Sequence, residues 1–209
     1  MSISIIGAGN VGQALAQAFI KKGEAVFLGV PNPEKYRDTI IQLGAGAKLG
    51  TVAQAIAASD VIILAIPYNA AESVAKAVPD WQAKILVDAT NPLAAGLAGL
   101  TVGTTTSGAE EIAKLAQGAR VVKAFNTTGA DNMADSGYPN GLPFMPVCGD
   151  DAEARGKVMA LATLIGFDAV DMGELKAARY LEPFAMTWIH LALRQGYGRK
   201  FAFGLLRRE

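Results

Sequence analysis

Hydrophobic positions follow two rhythms along this chain. Apolar runs at residues 2–6, 25–29, 61–66, 84–88 and 120–125 are too short for helices and stop at a glycine, a proline or a polar residue. That pattern predicts strands buried on both faces of a parallel sheet. Between the first two runs, Val11, Ala14, Leu15, Ala18 and Phe19 recur at i, i+3, i+4, i+7 and i+8, and Gly23 stands where a helix should stop. Pro31 and Pro33 enforce a turn into a polar helix over residues 34–43, and an alanine-rich helix over about residues 108–117 is predicted to be capped by Ser107. Strands alternating with helices over residues 1–126 predict a Rossmann-type, doubly wound α/β fold with a mostly parallel sheet.

The last third changes character without a linker. Residues 146–149 and 167–171 read as short strands. Between them a helix capped by Asp150 or Asp151 carries the stripe Ala154, Val158, Leu161, Ala162 and Ile165, and Gly166 ends it. Leu181, Phe184, Ala185, Trp188 and Ala192 form a final helical stripe, with Pro183 as its candidate kink. Residues 127–146 hold Gly, Pro, Asp and Asn and read as a lid or a surface excursion. The expected organisation is one NAD(P)-binding unit over 1–209, with a dinucleotide core at 1–126 and a small α/β extension at 127–209 that completes an acceptor cleft.

Composition narrows the function. The 209 residues carry 19 Lys+Arg against 19 Asp+Glu. Apart from Arg207-Arg208 there is no basic run, which argues against nucleic acid or an anionic membrane as partner. The densest apolar run is far below the roughly 20 residues of a spanning helix, and residues 1–7 lack the plan of a cleavable leader. One cysteine and one histidine permit no internal disulfide and no zinc site by themselves. A cytoplasmic enzyme or binder of small molecules is expected.

The strongest chemical signal is Gly7-Ala8-Gly9-Asn10-Val11-Gly12, a GxGxxG set between strand and helix. Gly7 serves the tight turn, Gly9 the approach of a pyrophosphate and Gly12 close helix–strand packing, while the helix N-terminus offers free N–H groups. After the second strand, neither the carboxylate that binds NAD ribose nor an arginine for a 2′-phosphate is present; Asn32 and Lys35 are the candidates there. Ile66-Pro67-Tyr68 ends the third strand on the same edge, with Tyr68 a candidate to flank the nicotinamide. Asn91 and Asn126, after the fourth and fifth strands, are candidates to hold the ring end, with turn formation as their alternative role. No acid/base residue stands out. His190 falls in the last helix, none of the tyrosines 36, 68, 138, 180 and 197 has a lysine four residues on, and Cys148 reads as a small buried apolar residue. A hydride transfer that needs only positioning of two rings fits this set, with no catalytic side chain and no metal.

The segments Ile6-Gly7-Ala8-Gly9-Asn10-Val11-Gly12, Asp88-Ala89-Thr90-Asn91-Pro92, Lys123-Ala124-Phe125-Asn126-Thr127, Val147-Cys148-Gly149-Asp150-Asp151 and residues 171–183 together resemble the coenzyme F420-dependent NADP oxidoreductases. They are also similar to the cytosolic reductase domain of membrane metalloreductases. The resemblance implies NADPH on Gly9 to Gly12, and coenzyme F420 or a flavin (FMN, FAD) stacked between Ile66-Pro67-Tyr68, Asn91 and Asn126. It also implies a homodimer, for which Trp188, Ile189, Phe201 and Phe203 are a candidate face. Val30 and Pro31 stand where members carry Ser-Arg-like residues, and only Lys35 matches their further basic position, so NAD stays open beside NADP. A flavin-mediated ferric reductase, or a dinucleotide-binding sensor or scaffold without turnover, are the competing readings.

Overall fold

The computed structural model describes residues 2–208. Its core is an eight-stranded sheet in the order β3-β2-β1-β4-β5-β6-β7-β8. The strands are β1 (Ile3–Ile6), β2 (Val26–Gly29), β3 (Ala47–Gly50), β4 (Val61–Leu64), β5 (Ile85–Asp88), β6 (Arg120–Lys123), β7 (Phe144–Gly149) and β8 (Asp168–Asp171). The first six are parallel; β7 pairs antiparallel with β6 and parallel with β8. This is the Rossmann-type sheet the alternation predicts, with the last two strands extending it.

The helices are α1 (Asn10–Lys21), α2 (Arg37–Leu43), α3 (Val52–Ala58), α4 (Tyr68–Ala75), α5 (Gly108–Leu115), α6 (Ala130–Ala134), α7 (Ala152–Leu164) and α8 (Ala178–Arg194). They cover both faces. One core packs Leu15 and Phe19 of α1 and Val158 and Leu161 of α7 against Ile3, Ile5, Leu28 and Ile63. The other packs Ile56, Ala71, Ile112 and Leu181 against Ile62, Leu64 and Leu86. Alternate residues of each central strand feed opposite cores, so an uninterrupted apolar run is what such a strand requires.

The predicted caps are present: Ser107 accepts from Glu110 N, and Asp151 from Ala154 N. Other expectations change. The helix expected over 34–43 is a 3-10 turn (Pro33–Tyr36) followed by α2. Pro183 lies inside one continuous helix. The 127–146 stretch contains α6, which packs on α1. Its Asn132 also ties down the end of the chain: Asn132 Nδ2 donates to Phe201 O at 2.6 Å, and Trp188 Nε1 donates to the same oxygen at 2.8 Å. Phe201 stacks on Trp188 and Phe203 lies 4.7 Å from Phe184, so the aromatic residues considered for a dimer face pack on their own chain.

Candidate functional site

Strand order reverses between β1 and β4, and the carboxyl ends of these two strands part around a crevice. Such a switch point is where open α/β sheets bind ligands. Gly7, with φ +107°, turns the chain out of β1, and its N–H donates to Gly29 O at 2.9 Å. A Cβ on Gly7 would strike the Ala65 carbonyl, and one on Gly12 would strike the carbonyl of Gly7. A Cβ on Gly9 would meet nothing within 4 Å, because Gly9 faces open space. The crevice has a volume of about 270 Å³ and is lined by Gly9, Asn10, Val11, Ile66 and Pro67, together with Ala65 and Ala89.

Helix beginnings differ in a way that bears on ligands. Thr51 caps α3 with a reciprocal Gln54 bond, and α5 and α7 start on Ser107 and Asp151. Helix α1 starts on Gly9, with no side-chain acceptor and no acidic residue in its first turn. Its first N–H groups and the positive end of its dipole are therefore free to meet an anion.

Of the predicted residues, Gly7 to Gly12 form the β1–α1 turn with Ala8 buried inside it, and Gln13 Nε2 donates to Ala8 O at 2.7 Å. Asn32 and Lys35 are exposed beyond β2 and do not line the crevice. Tyr68 opens α4 and lines a neighbouring depression of about 360 Å³ with Asn69, Glu72 and Glu111. Burial, then the charges of Glu182 and Asp88, push the Tyr68 phenol above its usual range. A depression of about 490 Å³ lies elsewhere, between Leu142, Pro143 and the segment 200–207. His190 is exposed on α8 beside Gln195. Cys148 is buried and its thiol is pushed up to about 12, chiefly by burial, which leaves it inert at neutral pH.

Asn91 and Asn126 are brought together. Asn91 Nδ2 donates to Asn126 O at 2.9 Å, and Asn126 Nδ2 donates to Asn91 Oδ1 at 3.0 Å and to Leu181 O at 3.3 Å. Those acceptors fix the orientation of the Asn126 amide: its nitrogen faces two oxygens, and its own Oδ1, though buried, has no partner. The neighbouring Thr127 Oγ1 is also buried without one. Phe125, just before, takes φ +59°, a left-handed conformation that costs a non-glycine residue about 1–3 kcal/mol. Its ring packs edge-on against Phe19 of α1 at 6.5 Å.

Beneath this pair lies a group the apolar patterns conceal. Lys123 is fully buried, and its Nζ donates to Asp88 Oδ2 at 2.8 Å, Glu182 Oε1 at 2.9 Å and Thr90 O at 2.7 Å. Asp88 Oδ1 accepts from Thr90 N and Oγ1, and Glu182 accepts from Gly108 N and Ala109 N at the start of α5. Burial opposes the lysine charge, but the two carboxylates outweigh it and hold the ammonium above its ordinary range. Every charge here is paired and hydrogen-bonded, the condition under which buried ions are tolerated. Sequence signals existed for two members: a lysine inside Val121-Val122-Lys123-Ala124 and an aspartate closing Ile85-Leu86-Val87-Asp88, which face each other in register. Glu182, 59 residues from Lys123, has no such signal.

The NADP oxidoreductase coenzyme F420-dependent family matches residues 2–92. The F420-dependent NADP reductase of Methanothermobacter thermautotrophicus is 31% identical over 215 residues, covering 93% of this chain and 90% of that protein. Metalloreductase STEAP3 of Rattus norvegicus is 30% identical over 180 residues, and the chain spans only 35% of its length. The crystal structure of a protein from Arthrobacter sp. FB24, described as an F420-dependent NADP-reductase, superposes with a TM-score of 0.89 at 28% identity, over 99% of this chain and all of that one. The turn at Gly7 to Gly12, the eight-stranded sheet and a relative matched nearly end to end lead to one assignment: the chain belongs to the coenzyme F420-dependent NADP oxidoreductase family.

Proposed function

We propose that this oxidoreductase transfers a hydride between NADP(H), with NAD(H) as the alternative dinucleotide, and a deazaflavin such as coenzyme F420 or a flavin. The observation that carries this reading is the uncapped start of α1, opening on a crevice that Gly9 leaves clear. When bound, the reduced dinucleotide supplies a hydride and leaves oxidised, while the acceptor takes that hydride and a proton from water. The chain's own part is to bind and orient. The N–H groups of Asn10, Val11 and Gly12 hold the pyrophosphate. Asn32 and Lys35 serve the adenosine end, where Lys35 meets a 2′-phosphate. Ile66 and Pro67 form an apolar wall, Tyr68 flanks the ring, and Asn91 and Asn126 hold its amide edge. Residues 127–209 complete the acceptor side, where the Leu181 carbonyl holds the Asn126 amide. No acid/base side chain is needed, because hydride transfer between stacked rings depends on distance and alignment.

The test is anaerobic consumption of NADPH and of NADH by the purified protein, with coenzyme F420, FMN and FAD offered separately. Turnover with at least one pair is expected; saturable dinucleotide binding without turnover would leave a sensor or scaffold instead. The likeness to a metalloreductase favours a second reading, ferric reduction through loosely held flavin. Iron reduction that depends on added flavin would identify it. Among the described residues no helix is long and apolar enough to cross a membrane. Assembly as a homodimer is part of the same reading, supported by the exposed Tyr180, Tyr197 and Leu206, and is checked by mass in solution.

A further inference from the structure

We infer that Lys123, Asp88 and Glu182 form a positioning unit whose task is to aim the free Oδ1 of Asn126 at an N–H group of the bound ring. The inference rests on the proposed function, in which Asn126 meets that ring. The two polar layers are built from the same three chain segments. Thr90, whose carbonyl accepts from Lys123, precedes Asn91; Lys123 lies three residues before Asn126; Glu182 follows Leu181, whose carbonyl accepts from Asn126. The ionic layer therefore fixes the spacing of β5, β6 and α8 at the points where the amide layer spans them.

The amide layer leaves one group over. One hydrogen of Asn126 Nδ2 goes to Asn91 Oδ1 and the other to the carbonyl of Leu181. What remains is a buried, oriented acceptor with no donor inside the protein. A buried acceptor without a partner is costly unless a ligand donor completes it. The carboxamide N–H of a nicotinamide, whose amide edge the proposed function sets against Asn91 and Asn126, has the required chemistry. Glu182 acts at a second point, since its carboxylate also holds the start of α5 at Gly108, where a Cβ would stand 2.8 Å from the Tyr68 ring. E182Q keeps an oxygen for the Gly108 and Ala109 N–H groups, so its effect on the ring runs through Asn126.

The test compares binding of NADP⁺ with that of 2′,5′-ADP, a fragment lacking the ring, to wild type, N126A, E182Q and N126A/E182Q. The readout is the ratio of the two dissociation constants, which cancels general losses of fold or phosphate binding. Wild type should favour NADP⁺. N126A and E182Q should each reduce that preference by about three- to tenfold, the worth of one buried hydrogen bond. The double variant should fall no further than N126A, because Glu182 acts through Asn126. R179Q, which breaks the surface pair of α8 with Glu110 and leaves the cluster intact, should keep the wild-type ratio. If E182Q does not fold, D88N carries the same comparison. A ratio unchanged in E182Q, or losses that multiply in the double variant, would overturn the inference. So would a wild type that binds NADP⁺ no better than the fragment. A wild type that discriminates in binding but turns over no acceptor would sink the functional reading and leave this inference standing.

Discussion

Among the helix N-termini at the carboxyl edge of this sheet, the chain treats those of α1 and α5 in opposite ways. At α1 it supplies no acceptor: Gly9 is exposed, no acidic residue occupies the first turn, and the N–H groups face a crevice. At α5 it supplies two: Ser107 accepts from Glu110 N, and the Glu182 carboxylate from α8 accepts from Gly108 and Ala109. The first end is left open to an anion from outside, whereas the second is filled by an anion of the protein's own. Because Glu182 is buried it must be neutralised, and Lys123 does this while also bonding to Asp88 and Thr90. One edge thus carries an exposed, uncapped helix start and, beside it, a desolvated ionic frame. On the proposed function, the comparison teaches how one fold separates holding a ligand from aiming it.

The largest effect should come from breaking the closed end. Lys123→Met strands two buried carboxylates and should cost about 3–5 kcal/mol, read as a lower urea midpoint. Because the native Lys123 ammonium is held above the ordinary lysine value of 10.5, the stability it contributes is complete below that pH and is lost as pH rises through its higher native value. Above about pH 10.5 the wild type should therefore lose stability more steeply than K123M, and parallel slopes would contradict the assignment.

Breaking the open end comes next. Gly12→Ala places a methyl against the Gly7 carbonyl and should cost about 1–3 kcal/mol, with a loss of dinucleotide binding that exceeds the loss of fold. Fluorescence titration of NADPH on the folded fraction measures it. Lys35→Ala sharpens the comparison at its periphery. The side chain is exposed, so the KM for NADPH should rise only roughly three- to fivefold while that for NADH stays put. A rise shared by both dinucleotides would remove Lys35 from the phosphate. The smallest effect is expected at His190, exposed on α8: His190→Ala should leave kcat within about twofold.

The two ends also differ in how far they could be read from the sequence. The open end is local, six residues from Gly7 to Gly12 in which Gly7 and Gly12 answer steric demands at the turn and Gly9 leaves the crevice clear, so this turn was legible in the sequence. The central strands were legible because burial on both faces forces uninterrupted apolar runs. Edge elements were not: β3 is only partly buried, and its Ala47-Lys48-Leu49-Gly50 has no apolar rhythm. Helix α3 had a usable signal in its Thr51–Gln54 capping box. At the closed end, Asn91 and Asn126 were visible as polar tips on buried strands, but Lys123 lay hidden inside an apolar run. Its partners stand 35 and 59 residues away, a separation that no periodicity spans.

The most direct test of the central claim follows the hydride itself. NADPH carrying deuterium in both positions at C4 of the nicotinamide is mixed anaerobically with the protein and oxidised coenzyme F420, in ordinary water, in a single turnover. Direct transfer between stacked rings predicts that the reduced deazaflavin carries the deuterium on carbon, and that the rate is slower than with unlabelled NADPH. Reduced deazaflavin without the label, or no reduction by a protein that binds both molecules, would contradict it.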